Sequence, residues 1–202
     1  MILDKFSFGT GDRFSQQGEA QLAAIIKARN ELGVAVVPVW NKSNREHNIV
    51  HSEPLDTRRA ADAAVKAMGY QGAYYVDADH INLGNVDRFI DHADFFTLDV
   101  ADAIGKPATG EDVEQFLTAH RPLIGALSIP GIDEPFVVTE AYLEQFAAKF
   151  LFATQEAARI YRHLAETKGM GNFVTEVSMD EVDEAQEPLD LLFILKALAD
   201  LR

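Results

Sequence analysis

Short runs of β-branched and aromatic residues alternate along the chain with longer stretches in which apolar residues recur at helical spacing. The short runs predict strands at residues 6–8, 34–39, 73–76, 95–98 and 173–177. The longer stretches predict helices at residues 18–32, 57–68, 85–92, 139–167 and 189–201. Because the helices lie between the strands, the pattern indicates an α/β protein built from parallel, right-handed βαβ units.

One segment, at about residues 101–138, interrupts this alternation. It is rich in glycine and proline, predicts only a short helix at residues 110–118, and otherwise suggests an irregular excursion over the surface. We therefore predict one domain over residues 1–202 with about five parallel strands. The strands form either an open doubly wound sheet or a partial TIM-like (β/α) barrel, and in both folds the chemistry collects at the carboxyl ends of the strands.

The composition narrows the classes of partner and of metal site. A net charge of −14, with scattered Lys and Arg, argues against binding to nucleic acid because phosphate would be repelled. Cysteine is absent, so any metal ion must be held by histidine and carboxylate. No apolar segment is long enough to cross a membrane and the start does not resemble a signal peptide, so we expect a cytoplasmic protein with no membrane partner.

The third predicted strand ends in "DADH", which is the strongest candidate site. Alternation along a strand sends Asp77 and Asp79 to one side and His80 to the other. Because this regularity relaxes at a strand end, Asp79 and His80 can both reach one site. A carboxylate and an imidazole this close together are costly to bury unless they bind something, which favours a functional role over a polar turn.

Two further strand ends carry weaker signals. "GTGDR" after the first strand contains Asp12 and Arg13, and it is either a phosphate-type loop or a turn with an Asp–Arg pair. "WNKSNREHN" after the second strand is either a solvated loop or a substrate loop. In the second case Arg45 supplies the planar fork that grips a carboxylate, while Ser43 binds a hydroxyl group. We expect His47, in the same loop, to be exposed.

The last two strands also end in polar residues. Asp99 follows the fourth strand, and we interpret it as a cap of the next turn. Glu176, Ser178 and Asp180 alternate along the fifth strand and therefore share one face. Such a polar face indicates the centre of a barrel or cleft, or alternatively an edge strand with a solvated face.

The motifs "FSFGTGDR", "SNRE", "DADH" and "EVSMDE", in this order and at these intervals, resemble those of the tagaturonate epimerase family. Members of this family are isomerases that act on ketohexuronates in the bacterial breakdown of galacturonate. The resemblance runs from Phe6 to the end of the chain. It implies a TIM-like barrel with a divalent metal ion in its mouth, and it does not distinguish zinc, manganese, nickel and cobalt.

The resemblance also implies roles for individual residues. By position, His80 and Glu176 match metal ligands, and Asp79 beside them matches a ligand or a base. The positions that match contacts to the sugar acid are Asp12, Arg13, Ser43 and Arg45.

Tagaturonate and fructuronate, the substrate pair that the resemblance implies, differ at the carbon two bonds from the ketone. Simple enolisation inverts only the neighbouring carbon, so we favour cleavage and re-formation of a C–C bond by a retro-aldol and aldol sequence. Asp79 or Asp180 would take the hydroxyl proton at the inverting carbon, and Arg45 would hold the substrate carboxylate. Transient oxidation by a nicotinamide ranks lower because the sequence has no dinucleotide fingerprint.

The chain departs from the family in length. Family members are longer, and the resemblance implies further strands and further histidine ligands after the "EVS" strand. Five strands cannot close an eight-stranded barrel. The chain is therefore a natural short relative, an isolated domain, or one of two chains that complete each other, as a homo-oligomer or with a partner. The alternatives to a ketohexuronate epimerase are another metal-dependent sugar isomerase or aldolase, and an inactive half-barrel that serves binding or assembly.

Overall fold

The computed structural model of the chain describes residues 3–179 and 185–201. Its strands are β1 (Ser7–Gly11), β2 (Val37–Ser43), β3 (Tyr75–Ile81), β4 (Phe95–Asp99), β5 (Gly125–Leu127), β6 (Phe136–Val138) and β7 (Val174–Ser178). Its helices are α1 (Gly18–Leu32), α2 (Asn44–Val50), α3 (Pro54–Ala67), α4 (Gly110–His120), α5 (Glu140–Phe146), α6 (Phe152–Lys168) and α7 (Pro188–Asp200). No helix within the described ranges is long and apolar enough to cross a membrane.

The chain divides into two compact units. The first contains the residues up to Asp99 together with Ile160–Ser178, and the second contains Val100–Arg159 together with the residues from Met179 onwards. The prediction of a single domain over residues 1–202 stays a prediction.

The first unit is built on a parallel sheet with the strand order β1-β2-β3-β4-β7. This confirms the predicted α/β class with five parallel strands. Strands β2 and β3 continue past their predicted ends, through Ser43 and Ile81. The polar residues that were expected to follow these strands therefore belong to the sheet itself, and their directions are set by the strand.

The two faces of this sheet bury different side chains. On the face that we call the helix-covered face, Trp40 and Val76 pack against Leu22 of α1 and Ala61 of α3. Helix α1 comes close to α3 because it begins with glycine: a Cβ on Gly18 would lie 3.2 Å from the Cβ of Ala64. The opposite face, which we call the site face, carries a second buried cluster of Val37, Val39, Tyr75 and Phe95.

Two predictions of local structure are wrong. The segment after β2, predicted to be a loop, is helix α2, because Ser43 and Glu46 form a capping box in which each side chain accepts the backbone N–H of the other. The predicted helix at residues 85–92 reduces to the 3₁₀ turn Val86–Arg88. There the side-chain oxygen of Asn82 accepts the N–H of Gly84 at 2.9 Å, which forms an Asx turn ahead of the 3₁₀ turn.

The second unit contains more regular structure than the sequence predicted. Its segment at residues 101–138 holds α4 and the antiparallel hairpin β5–β6. Its core is aromatic, with the ring of Phe146 lying 5.3 Å from Phe116 and 5.7 Å from Phe193. The predicted helix at residues 139–167 is interrupted by the π-helical segment Ala147–Leu151 between α5 and α6.

Candidate active site

Polar side chains occupy the part of the site face nearest the carboxyl ends of the strands. The strand register pairs them across neighbours: Asn41 with Asp77, Ser43 with Asp79, Thr97 with Glu176, and Asp99 with Ser178. Alternation puts all of them on the same face as the apolar cluster that lies further back along the strands. This is the edge at which parallel α/β proteins bind their ligands.

Asp77 is a buried acid within this group, with only 6% of its surface exposed. Its carboxylate accepts the backbone N–H of Thr97 at 3.1 Å and the Thr97 hydroxyl at 2.9 Å. Burial raises the pKa of Asp77 to about 7, the negative charges of Asp79 and Glu176 act in the same direction, and the bonds from Thr97 oppose the rise. The sequence put Asp77 and Asp79 on one side, but it did not single out Asp77 as a candidate.

The end of β3 contains a β-bulge that re-orients His80. The register between β3 and β4 shifts at this point, and His80 has a φ of 51°. Nε2 of His80 lies 3.8 Å from Oδ1 of Asp79, and Nδ1 of His80 lies 3.6 Å from Oδ2 of Asp99. The alternation of side chains along β3 is therefore interrupted at His80, as the sequence analysis expected for the end of this strand. Asp99, which we interpreted as a turn cap, lies beside the imidazole.

These side chains offer the donor types that a divalent ion needs, but not a complete set. Imidazole nitrogen and carboxylate oxygen suit ions from manganese to zinc. Within residues 3–179 and 185–201, however, no three His, Asp or Glu side chains lie close enough together to hold one ion. Glu176 is exposed on β7, with β4 between it and the strand of His80. Asp180, the alternative base, lies outside the described residues.

The loop after β1 and the start of α2 are joined by side-chain bonds. Nε of Arg13 donates to Oε1 of Glu46 at 3.1 Å, while Oε2 of the same carboxylate accepts the backbone N–H of Ser43 at 3.2 Å in the capping box. Burial alone would raise the pKa of Glu46, but the bond from Ser43 and the charge of Arg13 lower it below its usual value. Asp12 accepts the N–H of Gln17 at 2.5 Å, just before α1. The substrate contacts predicted for Asp12, Arg13 and Ser43 stay predictions, and all three residues have these structural partners.

Two arginines near α2 have opposite environments. Arg45 is exposed on α2, and its guanidinium makes no hydrogen bond or ion pair with the described part of the chain. Arg88 is fully engaged: its guanidinium donates to Oδ1 of Asn44 at 2.8 Å, Oδ1 of Asn48 at 2.9 Å, the carbonyl of Ser52 at 3.0 Å and Oε2 of Glu53 at 3.0 Å. Arg45 therefore retains the capacity to bind a carboxylate, whereas Arg88 anchors α2 and the residues after it.

A buried lysine and a buried histidine meet on the helix-covered side, and sequence reasoning missed both. Lys42 and His47 are each 1% exposed, and the hydroxyl of Ser52 lies 2.8 Å from Nζ of Lys42 and 2.9 Å from Nδ1 of His47. Burial lowers the pKa of Lys42, and it lowers the pKa of His47 to about 4 with help from the positive charges of Lys42 and Arg88. The prediction that His47 is exposed is wrong, because the helix turns its ring inward against Phe89, 5.6 Å away.

Comparison with known proteins identifies the family. A family model described as tagaturonate epimerase, UxaE, matches residues 1–202. Among solved structures, a glycerol complex of the fructuronate-tagaturonate epimerase UxaE from Cohnella laeviribosi is 21% identical with a TM-score of 0.77, covering 96% of this chain and 41% of that chain. The native crystal structure of the same enzyme is 19% identical with a TM-score of 0.72, covering 96% and 41%. No curated protein matches.

The solved structures support the fold, and this chain spans about two fifths of their length. The family match covers the whole sequence, which includes the polar ends of β1, β2, β3 and β7. This chain belongs to the tagaturonate epimerase family.

Proposed function

We propose that this chain carries part of the active site of an enzyme that interconverts tagaturonate and fructuronate. The proposal rests on the acidic residues of the site face, which are Asp77 and Asp79 on β3, Asp99 on β4 and Glu176 on β7. His80 lies beside Asp99 at the carboxyl ends of these strands. Family membership supplies the reaction. A cytoplasmic location, expected from the sequence, is part of the proposal.

The proposal includes a divalent metal ion held by His80 and Glu176, with Asp79 as a third ligand or as a base. The donor types fit such an ion, and the described residues supply too few of them in one place. We therefore propose that further ligands come from outside the described residues or from a partner chain. A bound divalent ion would polarise the ketone oxygen of the substrate.

The protein's own residues have three tasks in the proposed retro-aldol route. Asp79, or alternatively Asp180, accepts the proton of the hydroxyl group at the inverting carbon. The bond between that carbon and the carbon next to the ketone then breaks, its electrons pass toward the ketone, and an aldehyde forms. After the aldehyde turns over, the same bond re-forms and the base returns the proton. Arg45 holds the substrate carboxylate so that the two fragments stay together.

The first experiment measures conversion of tagaturonate to fructuronate by the purified chain after EDTA treatment, with and without added zinc, manganese, nickel or cobalt. His80→Asn is the test variant and His51→Asn is its matched control, because both histidines are exposed and have positive φ values of 51° and 54°. Asn tolerates this backbone conformation. We expect metal-dependent turnover that falls at least about 100-fold in His80→Asn only. Metal-independent turnover, or measurable turnover that is equal in both variants, would contradict the proposal.

The alternative proposal is an assembly module that acts together with a second chain. Strand β1 pairs with β2 alone within the described sheet, and Phe8 on β1 is 61% exposed. Such an edge favours association. If the chain alone is inactive on tagaturonate, two measurements distinguish the alternatives. A screen with ketohexuronates, neutral ketoses and sugar phosphates tests for another sugar isomerase or aldolase. The mass of the chain in solution tests for the assembly module. A monomer that converts none of these substrates would contradict the epimerase proposal for the isolated chain.

A further inference from the structure

One side chain near the start of α1 bridges a buried indole and the end of β1. The backbone N–H of Gln21 donates to the carbonyl of Gln17 at 2.9 Å as α1 begins. Its Oε1 accepts the indole N–H of Trp40 at 2.9 Å, and its Nε2 donates to the carbonyl of Gly11, also at 2.9 Å. Trp40 is 3% exposed, and Gly11 is the last residue of β1. The bridge therefore links the interior of the first unit to the residue immediately before Asp12.

The two ends of this bridge require a side chain that both donates and accepts. The indole N–H of Trp40 can donate but not accept, and the carbonyl of Gly11 can accept but not donate. The amide of Gln21 presents an acceptor and a donor side by side. A carboxylate lacks the donor, and a lysine or arginine lacks the acceptor. Replacing the amide at nearly unchanged length therefore breaks one half of the bridge or both halves.

The loop after β1 has two further attachments, and both have less buried anchors. The carboxylate of Asp12 accepts the N–H of Gln17 at 2.5 Å, which ties the loop to the start of the helix that follows it. Arg13 bonds Glu46 of α2, but the side chain of Arg13 is 50% exposed, and exposed ion pairs contribute little. Of the three attachments, the bridge through Gln21 is the one that reaches the buried interior of the sheet. It is therefore the attachment that can fix the loop relative to the sheet.

We propose that Gln21 is a positioning residue, which holds the loop after β1 where Asp12 and Arg13 can contact the sugar acid. This inference rests on the proposed function, because the contacts of Asp12 and Arg13 with the substrate are predictions. Gln21 does not touch the reacting atoms. It acts through the carbonyl of Gly11, which it holds at the beginning of the loop.

Two variants separate the halves of the bridge, and both introduce a good helix former of similar length. Gln21→Glu can still accept from the indole but cannot donate to Gly11, whereas Gln21→Met can do neither. Trp40 is the only tryptophan of the sequence, so its indole N–H gives a single NMR signal. We expect slow hydrogen exchange of this N–H in the wild type and in Gln21→Glu, and faster exchange in Gln21→Met. Slow exchange in Gln21→Met would contradict the bridge.

The loop is monitored through two of its own amides. The N–H of Ser15 donates to the carbonyl of Asp12 at 3.0 Å, and the N–H of Gln17 donates to the carboxylate of the same residue. We expect both amides to exchange about fivefold faster in both Gln21 variants, because each variant removes the donor that holds the loop. Gln16→Met is the matched control, because Gln16 is exposed in the same loop, and it should exchange like the wild type.

Binding of the sugar acid tests the functional part of the proposal. Calorimetric titration of the full chain with tagaturonate is carried out with zinc, manganese, nickel or cobalt added. We expect a Kd about fivefold higher in Gln21→Glu and Gln21→Met than in the wild type, and an unchanged Kd in Gln16→Met.

Three results would overturn the proposal. Unchanged exchange at Ser15 and Gln17 in both variants means that the loop is held without Gln21. Faster exchange that extends to the strand amides of Val76 and Thr97 means that the variants loosen the whole sheet, so that Gln21 is a packing residue. An unchanged Kd despite faster exchange in the loop means that the loop does not contact the sugar acid.

Failure of the proposed function gives a different result. A wild type that does not bind tagaturonate contradicts the proposed function, and the role of Gln21 in substrate binding is overturned with it. The exchange at Ser15 and Gln17 needs no substrate, so it still shows whether Gln21 holds the loop.

Discussion

Two polar clusters lie on opposite faces of the same sheet and differ in the balance of their charges. On the helix-covered side, Lys42 and His47 meet at the hydroxyl of Ser52, and burial keeps the imidazole neutral by lowering its pKa. On the site face, Asp77 is buried within the field of Asp79 and Glu176, and its pKa is raised. The first arrangement fixes the geometry of α2. The second brings like charges together at a cost in stability, which is typical of sites that bind a ligand or move a proton.

The largest expected effect comes from Asp77. Its pKa is about 7 in the folded state and 3.8 ordinarily, so between these pH values the unfolded carboxyl is ionised while the folded one is protonated. The free energy of unfolding of the wild type should therefore fall as the pH rises from 3.8 to 7, by up to about 4 kcal/mol from this group. Asp77→Asn cannot ionise, and its amide can still pair with Thr97. In EDTA, we expect this variant to exceed the wild type in stability at pH 8 and to match it near pH 4.

Urea unfolding from pH 4 to 8 measures this difference. Asp91→Asn, which changes an exposed aspartate of the same unit, is the control and should follow the wild type at every pH. A constant difference between Asp77→Asn and the wild type across this range would mean that Asp77 is ionised in the folded protein at low pH. The contrast between the two clusters would then disappear.

The second expected effect comes from His47, which changes the free energy of unfolding with pH in the opposite direction to Asp77. His47 has a pKa of about 4 when folded and 6.5 ordinarily, so the unfolded state binds the additional proton between these values. The stability that neutral, buried His47 provides is complete above pH 6.5 and is lost as the pH falls toward 4, by up to about 3 kcal/mol. His47→Gln removes this titration and keeps a polar partner for Ser52. The titration of Asp77 changes stability in the opposite direction and would mask this effect. The contribution of His47 is therefore measured by comparing the single variant Asp77→Asn with the double variant Asp77→Asn/His47→Gln.

We expect Asp77→Asn alone to lose stability from pH 6.5 to 4, and the double variant to lose much less over the same range. If the free energy of unfolding, measured in urea, depends on pH equally in the two variants, His47 is protonated or solvated in the folded state. In that case His47 would not be the neutral member of the helix-covered cluster.

Much of the fold was predictable because it follows from local patterns. Helix α1 was predicted with its observed bounds, and the five parallel strands follow from apolar runs separated by helical spacing. Helix α2 was predictable too, because "SNRE" contains the S-x-x-E capping box. It was missed because its seven residues have no long apolar stripe.

The candidate site was predictable only in part, because burial and long-range contacts decide the rest. Alternation put Asp77 and Asp79 on one face, but the burial of Asp77 and its bonds to Thr97 depend on a strand 20 residues away. The contact between His80 and Asp99 depends on a β-bulge that has no local sequence signature. Similarly, nothing near Arg88 in the sequence indicates that it binds side chains 35 to 44 residues earlier.

The smallest predicted effect compares Arg88 with Arg45, since both lie near α2 and only one has partners. Arg88→Lys keeps the charge but cannot donate in the four directions that Asn44, Asn48, Ser52 and Glu53 require. We expect a loss of about 1–2 kcal/mol, or roughly 3–6 °C in Tm. Arg45→Lys is the matched control and should change stability by less than about 0.5 kcal/mol, because Arg45 makes no hydrogen bond or ion pair with the described residues.

The same pair of variants distinguishes structure from recognition. If Arg45 binds the carboxylate of the sugar acid, Arg45→Lys should weaken sugar acid binding without changing Tm, because lysine lacks the bidentate fork. Arg88→Lys should lower Tm, and it should weaken binding only to the extent that α2 moves. Equal losses of Tm in both variants would mean that Arg45 also has a structural partner, and the carboxylate contact would then have to be assigned to another cation of the first unit.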